Sequence, residues 1–322
     1  MPALTLRRSL TALLAAAVTL GALTHAQAET LRIGYQKSAT TLGLLRSGGT
    51  LEKRLAEQGF DVTWTEFPGG PQLLEGLNVG SVDFGMTGET PPVFAQAASA
   101  DLVYVAFEPA SPTAEAILVP KDSSVQSVAD LKGKRVALNK GSNVHYLLVQ
   151  ALKEAGLSLS DIEPVYLPPA DARAAFESGA VAAWVIWDPF QAAAEQQLQA
   201  RTLRDGTGLV NNYQFYLSTA PFAQKNPEVI HSVIDEIRNV GQWVEANYQA
   251  ASEQVAPALG LPVDITRISV ERQNYGAQPI TPEVVAQQQA IADTFSDLKL
   301  IPKRLTISDV VWQQPAKVAQ AQ

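Results

Sequence analysis

Leu77-Asn78-Val79-Gly80-Ser81-Val82-Asp83-Phe84-Gly85-Met86-Thr87-Gly88-Glu89-Thr90-Pro91 and Ala175-Phe176-Glu177-Ser178-Gly179-Ala180-Val181-Ala182-Ala183-Trp184-Val185-Ile186-Trp187-Asp188-Pro189 share one pattern. Each reads as a helix end, a glycine, a short apolar strand, an acid and, within two residues, a proline. Proline suits the first turn of a helix, because that turn has no partner for the missing N–H. Both halves of the chain therefore aim a helix N-terminus from the carboxyl end of a strand. Ligands bind at that edge of open α/β sheets, and first-turn amides together with the helix dipole favour an anion. One such motif is an ordinary cap; its repetition points to two lobes closing on a shared site.

The flanking sequence keeps the same alternation. Leu31 to Tyr35 reads as a strand and Thr41 to Glu57 as a helix stopped by Gly59. Phe60, Val62 and Trp64 alternate as a second strand, and Gln72 to Asn78 reads as a short helix. Glu108-Pro109-Ala110-Ser111-Pro112-Thr113 interrupts the pattern and reads as a crossing or hinge. Strand and helix resume from Arg135, and a second lobe closes near Tyr213 to Ser218. From Asn226 onward the pattern is helical, with Ile230, Val233, Ile234, Ile237, Val240 and Val244 along one face, expected to pack back onto the first lobe. Residues 314–322 are expected to fray. The class is α/β: each lobe a mostly parallel sheet flanked by helices, the two joined by a hinge. Expected boundaries are 1–28 for a signal peptide, 29–112 and 219–322 for lobe one, and 113–218 for lobe two.

The signal peptide is read from Arg7 and Arg8, the small and apolar run Leu10 to Leu23, and Ala26-Gln27-Ala28 as a small-x-small cleavage site. A membrane anchor needs about 20 apolar residues, more than this stretch offers, so no membrane insertion is expected. Cleavage removes two arginines and no acid, leaving the exported chain more acidic than the whole, whose net charge is -8 from Lys+Arg 24 and Asp+Glu 32. That sign argues against nucleic acid as a partner. Cys 0 removes disulfides, thiolate nucleophiles and sulfur-ligated metals. After cleavage His145 and His231 are the histidines left; no pair has metal-ligand spacing and no serine sits in a nucleophile elbow. No catalytic residue, metal or cofactor is expected.

Further helix starts place small polar residues in caps: Gln36-Lys37-Ser38-Ala39-Thr40-Thr41 and Asn139-Lys140-Gly141-Ser142-Asn143-Val144-His145. Lys37 and Lys140 read as surface lysines, since converging dipoles hold an anion without a formal cation. Trp187 could wall a ligand tail or fill the core. His145 could touch ligand or bond a neighbour; His231 reads as an ordinary helix-face residue.

Tyr35-Gln36-Lys37, Trp64-Thr65-Glu66-Phe67-Pro68, Leu77 to Ser81, Pro91 to Ala97, Lys140-Gly141-Ser142, Pro169 to Phe176 and Ile186 to Pro189 resemble the periplasmic aliphatic-sulfonate-binding proteins of ABC importers. The resemblance spans nearly all of the chain after residue 28. It implies the two-lobed periplasmic-binding-protein fold, a sulfonate ligand, delivery to an importer permease for sulfur acquisition, a periplasmic location and a monomer. Carried over by motif, Gln36, Gly88, Glu89, Thr90, Ser142, Asn143, His145, Trp187 and Asp188 line the cleft. Ser38 joins them from the first helix start. A taurine or other small organic-anion receptor of the same fold is the alternative. Glu89 and Asp188 would repel an anion unless they cap their own helices or accept from the amine of a zwitterion. Pyrimidine-forming enzymes of thiamine synthesis look alike but rely on a cysteine-rich motif, which this chain lacks.

Overall fold

The computed structural model describes residues 28–313; the expected signal peptide (1–27 of it) and the tail 314–322 lie outside them. The first sheet grows from β1 (Glu29–Tyr35), β2 (Phe60–Glu66), β3 (Phe84–Gly88) and β4 (Leu102–Glu108), with α1 (Thr40–Gly48), α2 (Thr50–Ala56), α3 (Gly70–Asn78) and α4 (Pro91–Ala97) between them. The expected helix 41–57 is two helices, because Gly49 turns into the left-handed region at φ 64°. Residues 109–114 then cross to a second sheet. It holds β5 (Glu115–Val119), β6 (Arg135–Leu138), β7 (Glu163–Tyr166), β8 (Ala183–Trp187) and β9 (Arg201–Asp205), with α5 (Asn143–Glu154), α6 (Pro169–Glu177) and α7 (Phe190–Gln197). Residues 206–213 cross back to β10 (Gln214–Thr219), followed by α8 (Ala220–Lys225), α9 (Pro227–Ala246), α10 (Tyr248–Leu259), α11 (Val263–Arg272) and α12 (Pro282–Asp297).

The two sheets repeat one plan, β2-β1-β3-β10-β4 and β7-β6-β8-β5-β9. In each, the strand that follows a crossing enters antiparallel at the fourth position: β10 between β3 and β4, β5 between β8 and β9. The remaining strands run parallel to one another, as βαβ units require. Residues 214–218, expected to close the second lobe, therefore belong to the first sheet. Hydrophobic alternation alone does not say which sheet supplies a strand's neighbours.

Both faces of both sheets are covered. Leu31, Ile33, Phe84 and Tyr216 pack under α1, α2 and α9 on one face of the first sheet, while Tyr104, Phe215 and Leu217 pack against Leu73, Val93 and Phe295 on the other. In the second sheet Val136, Leu138 and Val185 meet Val144, Leu147 and Leu148 of α5; Ala137, Trp184 and Ile186 meet Phe176 and Ala194. Each fully buried large apolar side chain contributes about 1.5–3 kcal/mol, which is why these strands read as nearly unbroken apolar runs. The C-terminal helices depart from expectation. α9 and α10 sit on the first lobe, but Ile265 of α11 packs on Ala192 and Ala193 of α7 in the second. The tail thus touches both lobes.

Candidate functional site

A cavity of about 30 Å³ lies where the carboxyl ends of β3 and β8 face each other. The first lobe supplies Gln36 and Ser38 from the turn after β1, Gly70 at the start of α3, Gly88 at the end of β3 and Pro91 at the start of α4. The second supplies Ser142 and Asn143 at the start of α5 together with Trp187 and Asp188. The crossings add Ala114 and Asn212, and Gln214 and Gln273 complete the wall. Four helix starts therefore converge on one space, drawn from both lobes.

They do not contribute alike. α4 opens with Pro91-Pro92, which have no N–H, and its Thr90 N–H lies 3.4 Å from Asn143 Oδ1. α7 follows Pro189, and Asp188 Oδ1 accepts from the Ala192 N–H at 2.9 Å. The lining residues that carry a first-turn N–H are Gly70 of α3, which is followed by Pro71, and Asn143 of α5. The other polar groups of the wall are the carboxamides of Gln36, Asn143, Asn212, Gln214 and Gln273, the hydroxyls of Ser38 and Ser142 and the carboxylate of Asp188. Neither Lys nor Arg lines the cavity, and Lys37 and Lys140 are exposed.

Of the residues singled out from sequence, Gln36, Ser38, Gly88, Ser142, Asn143, Trp187 and Asp188 are brought together here. Their hydrogen bonds restrict what they offer. Gln36 Nε2 donates to Met86 O at 2.9 Å and Ser142 Oγ donates to Asn139 O at 2.7 Å. Asn143 is a clasp between lobes, its Nδ2 donating to Asn212 Oδ1. Asn212 Nδ2 donates in turn to Ser111 O at 2.9 Å, tying the two crossings together.

Glu89, Thr90 and His145 stand behind the cavity wall. The Glu89 carboxylate turns to the returning crossing, where Oε2 accepts from the Tyr213 N–H at 3.0 Å; burial raises its pKa to about 7. It neither caps its own helix nor reaches the cavity. Thr90 is fully buried at the cap of α4. His145 sits within the first turn of α5, its ring 6.3 Å from Phe94, 5.2 Å from Phe295 and 5.8 Å from Tyr166. Its Nδ1 accepts from the Gly141 N–H at 3.2 Å, and burial, with Lys140 nearby, lowers its pKa to about 4. It is a neutral seam residue between lobes. Successive residues at a helix start fan out by about 100°, so neighbours in sequence cannot all face one point. Gly70, Ala114, Asn212, Gln214 and Gln273 were not identified from sequence, and Pro91 was read as a helix start but not as a lining residue; Gly69-Gly70-Pro71, another helix start, carried a usable signal for the first of them.

Asp188 is the charged residue of the wall. Its side chain is fully shielded from solvent, and burial raises its pKa to about 7 against the lowering effect of Arg272. Capping its own helix accounts for one oxygen.

Residues 55–251 match the family model described as NMT1/THI5 like. An aliphatic sulfonates-binding protein of Escherichia coli (strain K12) is 46% identical over 88% of this chain and 89% of its own. The alkanesulfonate-binding protein SsuA from Xanthomonas axonopodis pv. citri, solved bound to MOPS, superposes with a TM-score of 0.84 at 43% identity, covering 89% of this chain and 99% of that one. The periplasmic aliphatic sulphonate binding protein SsuA from Escherichia coli gives 0.82 at 45% identity, covering 91% and 95%.

Proposed function

This chain belongs to the family of aliphatic-sulfonate-binding proteins, and on that footing we propose that it captures aliphatic sulfonates in the cleft and delivers them to an ABC importer. It is a binding protein, not an enzyme. The observation that carries the proposal is a cavity shared by both lobes whose polar wall is carboxamides and hydroxyls apart from the single carboxylate of Asp188, with helix starts α3 and α5 opening onto it. A sulfonate is a monoanion that stays unprotonated at ordinary pH, so it offers acceptor oxygens and no proton. Amides and carboxamides match that demand.

Lobe one is residues 29–112 with the returning chain from β10 onward, and lobe two lies between the crossings 109–114 and 206–213. Ligand contacts from both lobes favour the closed form over the open one. Residues 1–28 act as an export signal, and the exported chain works as a monomer in the periplasm. Among the described residues the exposed large side chains are Val79 just after α3, Tyr166 at the end of β7, Trp243 of α9 and Leu298 just after α12, which form no run along one element, and this supports the last point.

Titration calorimetry with ethanesulfonate, butanesulfonate, taurine, sulfate and nitrate tests the proposal. Saturable binding of the alkanesulfonates, with sulfate and nitrate at least about tenfold weaker, is expected. Absence of heat with every sulfonate overturns it.

A further inference from the structure

A carboxylate in the wall of an anion site needs a physical explanation, and Asp188 is the charged residue among those lining the cavity. Its Oδ1 is committed to the Ala192 N–H. Its Oδ2 faces Arg272 Nη1 at 3.5 Å. Arg272 is the last residue of α11, the helix seated on α7 through Ile265, Ala192 and Ala193. The guanidinium is held from its other side as well, because Nη2 donates to Glu195 Oε2 at 2.6 Å. Glu195 Oε1 in turn accepts from Thr202 Oγ1 at 2.8 Å and Gln191 Nε2 at 3.2 Å. Arg272 does not line the cavity, whereas its neighbour Gln273 does.

We propose that Arg272 is a positioning residue for anion binding: it acts through Asp188, compensating that buried carboxylate so that the cleft accepts a sulfonate beside it. The inference rests on the sulfonate function proposed above. Without the guanidinium, Asp188 has two options when an anion arrives. It stays ionised and repels the ligand, or it takes up a proton on binding. Both costs arise only where Asp188 is ionised in the free protein, which burial confines to the higher pH, so the affinity falls as pH rises. The charged and titratable groups facing Asp188 are Arg272 from α11, Glu195 from α7 and Tyr275 from the segment after α11. Only the first opposes its charge.

The test uses the full exported chain and ethanesulfonate, titrated calorimetrically at about pH 6 and pH 8.5. Arg272→Gln is expected to weaken binding about 10- to 100-fold at the higher pH and about threefold or less at the lower, with proton uptake seen as a buffer-dependent enthalpy. Arg272→Gln combined with Asp188→Asn should match Asp188→Asn alone within about threefold at both pH values, since the charge needing compensation is gone. Should Arg272→Gln fail to fold, Asp188→Asn alone still decides: its own affinity must be flat with pH, and adding Arg272→Lys must change it by less than about threefold. An Arg272→Gln loss equal at both pH values and retained in the double variant overturns the inference, leaving Arg272 as packing support for α7 and α11. Wild-type protein that takes no alkanesulfonate at either pH overturns the functional proposal itself, a result distinct from the first.

Discussion

Gly88, the last residue of β3, faces the Asn143 carboxamide across the cleft so closely that a Cβ on Gly88 would overlap it. Asn143 cannot simply swing away, because its Oδ1 faces the Thr90 N–H and its Nδ2 donates to Asn212. The absence of a side chain at one strand end is thus what lets the two lobes meet.

Gly88→Ala should hold the lobes apart. Overpacking of this kind costs about 1–3 kcal/mol, equivalent to about 5- to 150-fold in affinity. Calorimetry with ethanesulfonate should show that loss, while the unliganded melting temperature stays near wild type. Gly88→Ala with Asn143→Ala should recover part of it, since the obstructing carboxamide is gone. A Gly88→Ala variant that binds like wild type would contradict the steric account.

His145 gives a pH signature. Its pKa is about 4 in the folded chain against an ordinary 6.5, so between those values the unfolded state binds the extra proton. The neutral ring's contribution is fully present above pH 6.5, declines as pH falls through that window and levels off below about 4. The gap of about 2.5 pH units corresponds to about 3 kcal/mol. Denaturant melts of wild type and His145→Gln across the window should show a stability difference that shrinks toward acid; a constant difference would mean that His145 is not buried neutral.

Glu108 has the opposite sign. It is fully buried, with Tyr216 Oη donating at 2.7 Å and Thr41 Oγ1 at 3.3 Å, and burial raises its pKa to about 7. The folded state therefore holds the proton that the unfolded state releases near 4.5, and stability declines as pH rises from about 4.5 to 7. Glu108→Gln removes that dependence. Its melting temperature relative to wild type should rise between pH 5 and pH 8, and a flat difference would refute the buried-acid account.

Asn212 holds the crossing in the left-handed region at φ 52° while bonding Ser111 and Asn143. Asn212→Ala loses both bonds and adds backbone strain, for about 2–3 kcal/mol in chemical denaturation. Asn212→Gly loses the bonds but relieves the strain and should cost about 1 kcal/mol less. Equal losses would show that φ plays no part.

Sequence reading gave access to the elements that short-range rules govern. Pro91 and Pro189 marked helix starts because proline's missing N–H is harmless only there. The pairing of Gly88 and Trp187 as facing strand ends was visible as an internal echo. Less visible was the direction each side chain takes. Glu89 and His145 sit within two residues of cavity-lining positions and still turn away, one to the Tyr213 N–H and the other into Phe94 and Phe295.

Taken alone, the amino-acid order determined the α/β class, the two-lobe plan and the helix starts that make the cleft, since periodicity, glycine and proline act over a few residues. Only the tertiary structure decided that β10 joins the first sheet, that Asn143 clasps Asn212, 69 residues away, and that Arg272 stands behind Asp188, 84 residues away. The physical reason is that these contacts depend on how packed layers meet, and no local pattern carries the distance between segments so far apart along the chain.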